Sequence, residues 1–136
     1  MEPLPDAVKN YVRFAPVCRI ATVRPSGEPH VIPVCPVFDG DSILYVDIGP
    51  KYASAEGLLA GGKVAVLLDE YHDDWGRLQA VLLKCEAKPV QGEEQERAWR
   101  MIREKFPQYS SVGWAPRLTL ALRIYDWRQW GVLTPP

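Results

Sequence analysis

Residues 69–75, DEYHDDW, hold the densest set of reactive side chains in the sequence: Asp69, Glu70, Asp73 and Asp74 surround His72, one of two histidines, with Tyr71 and Trp75 alongside. Carboxylates and an imidazole at this density could ligate a metal or move protons. The spacing follows neither a calcium loop nor a His-pair zinc pattern, and no second cluster elsewhere in the chain supplies converging ligands. No metal site is expected. The bland reading is a solvated turn. Trp75, a large aromatic in a polar loop, is placed either to cover a flat ligand or to pack under that loop.

Other chemical signals are partial. GLLAGGK at 57–63 carries the opening letters of a phosphate-cradling loop, but Val64 stands where the magnesium-binding Ser or Thr belongs, and the glycines close a helix rather than open one. A helix C-cap, with Lys63 beside the last carbonyls, explains them as well. Ser54 lies in a helical stretch with no GxSxG elbow around it. The three cysteines, Cys18, Cys35 and Cys85, are far apart and form no CxxC, so they read as small buried hydrophobes.

The elements that must position these groups follow from pattern. Asp6 can cap a short helix that puts Val8, Tyr11 and Val12 on one face and stops before Pro16. VCRIATVR and PHVIPVCPVF are β-branched runs joined by a PSGE turn, in which Gly27 can take positive φ. Pro33 and Pro36 each remove an amide donor, so the second run must be an edge strand or bulged. A DGD turn at 39–41 leads into SILYVDI. KVAVLL reads as a strand buried on both faces, and LQAVLLKCEAKPV as another strand. Residues 93–106 form the clearest helix, with Ala98, Trp99, Ile102 and Phe106 at helical spacing and Pro107 ending it. In RLTLALRIY, Leu118, Leu120, Leu122 and Ile124 alternate against Arg117, Thr119, Ala121 and Arg123, the pattern of a half-buried strand. About six antiparallel strands with short flanking helices give a mainly β, α+β chain whose sheet is expected to close like a barrel.

The chain has 136 residues, 47% hydrophobic and 24% charged, with a formal net charge of -1. These values fit one globular domain over residues 1–136. No block of like charge points to nucleic acid or a membrane surface, and the N-terminal MEPLPDAVKNYVRF lacks the basic start and apolar core of a signal peptide, so a cytoplasmic protein is expected. The partner is expected to be a small molecule or another protein.

Taken together, RIATVRPSGEPHVIPVCPVFDGDSILYV, the PK that follows, LLAGGKVAVLLD and YHDDWGRL resemble the pyridoxamine 5′-phosphate oxidase-like split β-barrel superfamily. YHDDWGRL, KFPQY and LRIYDWRQW look like its deazaflavin (coenzyme F-420) branch. The resemblance, from Val17 to Trp130, implies a homodimer with two interface sites, each holding FMN or the deazaflavin for hydride transfer. It assigns Lys51 to the cofactor phosphate, with Tyr52 and Ser54 beside it, the backbone of Ile32, Pro33 and Val34 to the ring, and Trp75 to the pocket mouth. Two departures stand out. YASAEGLLAGG at 52–62 contains no Lys or Arg, and apolar Ile32 and Val37 stand where pyridoxamine phosphate oxidases carry basic residues. The chain is therefore expected not to be a true pyridoxamine phosphate oxidase. The rival expectation is a split barrel that binds or sequesters flavin, haem or another flat ligand without catalysis.

Overall fold

The computed structural model describes residues 1–49 and 62–134. Helix α1 (Asp6–Phe14) is followed by strands β1 (Cys18–Val23), β2 (Pro29–Val34), β3 (Val37–Phe38) and β4 (Ile43–Ile48). Strand β5 (Lys63–Glu70), a 3-10 turn (Trp75–Arg77) and β6 (Gln79–Pro89) come next, then α2 (Gly92–Lys105), α3 (Gln108–Ser111) and β7 (Leu118–Trp130). The strands form one antiparallel sheet in the order β2-β1-β5-β6-β7-β4-β3, which curls into the half-barrel of a split β-barrel.

The described residues form seven strands where about six were expected, and the additional one explains the prolines. PHVIPVCPVF is two strands, not one: the ladder with β1 runs from Val23↔Pro29 to Cys18↔Val34 and stops there. After Cys35 and Pro36 the chain pairs with β4 instead, through Val37↔Tyr45 and Phe38↔Leu44. These two strands are the opposite edges of the sheet. Among the described residues the sheet is therefore not closed by a β2–β3 ladder; the two edges are joined only through the chain at Cys35 and Pro36. β2 is the edge strand that Pro33 requires.

Turn chemistry supports both hairpins. Gly27 takes φ of 88°, and its amide donates to the Arg24 carbonyl at 2.8 Å. The Asp39 carboxylate accepts from the amides of Asp41, Ser42 and Ile43 at 2.8, 2.9 and 3.0 Å, fixing the entry to β4.

The barrel interior is filled by alternate residues of every long strand, among them Ile20, Val66, Leu83 and Leu122, and is plugged by Val8, Tyr11 and Val12 of α1. Asp6 is the first helical residue rather than the cap, which is Pro5, so it acts on the helix dipole and not through a capping hydrogen bond. A second cluster lies outside the sheet, where Ala98, Trp99 and Ile102 of α2 cover Val37, Tyr45 and Ala121. That cover changes the expected alternation of β7, because Thr119 and Ala121 on its outer face are also buried. Only beyond α2 does β7 turn one face to solvent. Strand β5 departs the other way: its outward residues Ala65 and Leu67 are half-buried, not enclosed. No helix among the described residues is long and apolar enough to cross a membrane.

Candidate functional site

The split between the two sheet edges opens a cavity of about 380 Å³. Ile32, Pro33, Val34 and Cys35 wall one side, and Asp47, Ile48 and Gly49 from the end of β4 wall the other. Tyr109 from α3, Trp114 from the following turn and Arg117 at the entry to β7 complete it. Among the described residues β2 pairs with no strand on this side, so its backbone N–H and C=O groups on this edge are offered to the seam as hydrogen-bonding positions.

Asp47 organises the polar end. Its side chain is fully buried while that of its ion-pair partner, Arg117, is 40% exposed. Four donors meet the carboxylate: the Thr119 hydroxyl at 2.9 Å, the Arg117 amide at 3.0 Å, the Arg117 Nε at 3.2 Å and the Trp99 indole Nε1 at 3.3 Å. A buried carboxylate is tolerated only with such pairing. The network binds β4, β7 and α2 together directly behind the cavity.

The aromatic wall is equally ordered. Tyr109 meets Trp99 edge-on at 5.5 Å and Trp114 edge-on at 5.3 Å, and the Arg117 guanidinium lies 5.4 Å above the Trp114 ring. Burial, followed by the neighbouring Cys35, pushes the Tyr109 hydroxyl up to about 12, so it stays a neutral donor at physiological pH. Close by, the Lys105 amine donates to the carbonyls of Ala15 at 2.7 Å and Pro36 at 2.8 Å, pinning the corner where the chain changes edges.

Of the residues singled out from sequence, Ile32, Pro33 and Val34 come together in this wall. Lys51, Tyr52 and Ser54 lie outside the described residues. Trp75 is not among the lining residues: it sits in the β5–β6 connection, 73% exposed, with its indole N–H donating to the Tyr71 hydroxyl at 3.2 Å. The acids around it have local work. Asp69 pairs with Arg19 across the sheet at 3.1 Å, Glu70 accepts from Gln79 at 2.9 Å, and Asp74 caps the 3-10 turn through the Gly76 amide. Cys18 and Cys85 are buried as expected, but Cys35 is only half-buried and lines the cavity.

No motif in the sequence marks Asp47, Tyr109 or Arg117 as site residues. One signal was available for Asp47, a lone acid in the apolar run SILYVDI, which must either break the strand or be paired. A larger open groove of about 800 Å³ lies on the outer face, lined by Ala21, Val31, Ala65, Lys63, Lys84 and Tyr125 among others. It is the larger space, but the seam has the convergent polar groups and aromatic wall of a ligand site.

Residues 4–131 match the family model described as pyridoxamine 5′-phosphate oxidase. Among solved structures, a heme binding protein from Mycobacterium smegmatis is similar with a TM-score of 0.76 and 16% identity, over 94% of this chain and 55% of that one. The chain thus spans about half the length of that relative. A heme storage protein from Vibrio cholerae gives a TM-score of 0.73 at 14% identity, covering 91% of both chains. An FAD-binding protein from Mesorhizobium loti gives 0.67 at 20%, covering 94% of this chain and 95% of that one. No curated protein sequence matches the chain.

Proposed function

This chain belongs to the pyridoxamine 5′-phosphate oxidase family, and from that premise we propose that it is an oxidoreductase that holds FMN or a deazaflavin in the seam cavity and passes hydride to or from a small molecule. The observation that carries the reading is the make-up of the cavity wall, with a strand edge that is unpaired among the described residues on one side and an aromatic and cationic end on the other. Its volume of about 380 Å³ suits a compact flat ligand.

A bound flavin or deazaflavin supplies the ring that takes or gives the hydride. The chain itself supplies placement. Ile32 and Val34 would exclude water from the bound ring, the backbone of β2 would offer it donors and acceptors, and Tyr109 would present a neutral hydroxyl. Arg117 offers the positive charge. Apolar Ile32 gives a pyridoxamine phosphate no group to pair with, so that substrate is not the one proposed.

The active form is proposed to be a homodimer. The outer face of the sheet exposes Val23 and Val31 at 65% and 61%, beside half-buried Ala65 and Leu67, an apolar area of the kind a second subunit covers.

A second reading, non-catalytic binding of haem or another flat ligand, is favoured by the two haem-related neighbours and by the presence of Cys35 and Tyr109 in the wall, both residue types that can ligate haem iron. Titration with FMN, coenzyme F-420 and haemin, followed by tryptophan quenching and visible absorption, separates the two. Micromolar binding of either flavin-type cofactor with reductase turnover is expected. No binding of FMN or F-420 at tens of micromolar would refute the oxidoreductase reading, and a haem spectrum without turnover would support the second.

A further inference from the structure

We infer that Arg117 is the residue that reads the anionic tail of the seam ligand, and that Asp47 is the positioning residue that presents it. The inference rests on the seam cavity being the ligand site proposed above, and it places the anion contact at the start of β7. The family resemblance assigns the phosphate to Lys51, which lies outside the described residues, and the segment 52–62 after it contains no Lys or Arg.

The geometry around Arg117 is that of a held fork. Its backbone amide and its Nε both donate to Asp47, at 3.0 and 3.2 Å, while its Cζ lies over the Trp114 ring, 5.4 Å from the centroid. The two terminal nitrogens make no hydrogen bond among the described residues. Two parallel N–H donors are therefore left on a side chain whose orientation is already fixed. That arrangement matches two oxygens of a phosphate or a carboxylate and loses little rotamer freedom on binding.

The carboxylate behind it does not cancel this charge. Asp47 is fully buried and also accepts from Trp99 and Thr119, so its charge is shared among neutral donors on the interior side. An anion at the terminal nitrogens would meet the guanidinium at closer range than the carboxylate. Among the described residues that line the cavity, Arg117 is the only cation. Lys105, the nearest alternative, has its amine engaged by the carbonyls of Ala15 and Pro36.

The shared ligand chemistry is a flat heteroaromatic body with an anionic tail, which a flavin phosphate and a haem propionate both provide. Two pairs of probes distinguish them: FMN against riboflavin, which has the same ring without the phosphate, and haemin against its dimethyl ester. In the wild type the tailed member of one pair should bind more tightly. Arg117→Gln should weaken that member by about tenfold or more, the size of a charge-assisted contact, and leave the tailless one unchanged. Arg117→Lys keeps the charge without the fork and should lose part of the preference. It also serves if the Gln variant, which leaves Asp47 without its cation, fails to fold by circular dichroism. An unchanged preference in both variants would overturn the inference. If the wild type binds none of the four probes, the proposed function fails and inorganic pyrophosphate decides this point alone. A change in tryptophan fluorescence on adding pyrophosphate that both Arg117→Gln and Trp114→Phe abolish would uphold the anion site, and no response at millimolar pyrophosphate would refute it.

Discussion

The indole Nε1 of Trp99 lies 3.3 Å from the Asp47 carboxylate, joining α2 to β4 across a sequence separation of 52 residues. The contact gives a large core aromatic a polar partner, and it places the helix that roofs the outer cluster directly behind the seam cavity. Packing and site organisation therefore share one buried carboxylate.

Removing that carboxylate should be costly. Asp47→Ala leaves the Trp99 indole, the Thr119 hydroxyl and two Arg117 donors without their acceptor; the half-exposed Arg117 can turn to water, and each buried donor left unpaired costs about 1–3 kcal/mol. Asp47→Asn keeps one acceptor oxygen for the three donors at Oδ2 but turns an amide donor toward Arg117 Nε, so about 1–3 kcal/mol is expected. The control is Asp69→Asn, which loses an exposed pair with Arg19 (side chains 44% and 39% exposed) and should cost under about 1 kcal/mol. Urea denaturation of the three variants checks the order; a cost at Asp69 equal to that at Asp47 would refute the assignment.

Much of this fold was legible because its signals are local. The face of α1 formed by Val8, Tyr11 and Val12, the buried stripe of α2 and the turn at Gly27 all follow from spacing or from one residue's backbone freedom. Pro33 announced an edge strand correctly. What two prolines could not announce is that the chain changes edges between them, since strand order depends on pairings far apart in sequence. The candidate site was hidden for the same reason. Asp47 finds Arg117 and Thr119 at separations of 70 and 72 residues, and no spacing rule connects them. Ile32, Pro33 and Val34 entered through family resemblance and not through chemistry of their own.

Gly131 marks a close approach at the end of β7. It has φ of 73°, and a Cβ there would overlap the carbonyl of Leu78. Gly131→Ala should therefore move backbone on one side or the other, at about 1–3 kcal/mol, the lower end applying if residues 132–134 peel away. Peeling would free Gln79, whose side chain accepts from the Thr134 amide at 2.8 Å. Gly27→Ala, strained by φ of 88° but with open space around its Cβ position, should cost less. Equal thermal shifts for the two variants would count against the steric argument.

The outer face gives a test of assembly. Val31→Arg places a third cation beside Lys63 and Lys84 in the groove on that face, on an exposed position whose substitution should change the stability of the single chain by no more than about 0.5 kcal/mol. Light scattering at micromolar concentration is expected to give a dimer for the wild type and a monomer for the variant, with unchanged far-ultraviolet circular dichroism. A wild-type monomer would end the homodimer proposal.

Lys105 should give stability an unusual pH profile. Burial lowers its amine from 10.5 to about 8, outweighing the opposing influence of Cys18 and Cys35, while Arg13 and Glu104 line the same pocket as the lysine. Between about pH 8 and 10.5 the unfolded chain then holds more protons than the folded one, so this group makes stability rise with pH across that window. Below pH 8 both states are charged and the contribution is flat. Other groups oppose it at higher pH: Cys18 and Cys85 are pushed from 9.0 to about 12, and Tyr11 and Tyr109 from 10.0 to about 12, so from about pH 9 upward the unfolded chain loses protons that the folded one keeps. The Lys105 effect is therefore clearest between pH 8 and 9. Lys105→Met loses the donor to the Ala15 and Pro36 carbonyls, sheds the penalty of the buried charge below pH 8, and should lack the rise that the wild type shows over that interval. Parallel unfolding free energies for the two proteins from pH 7 to 9 would show that the amine titrates as it does in water.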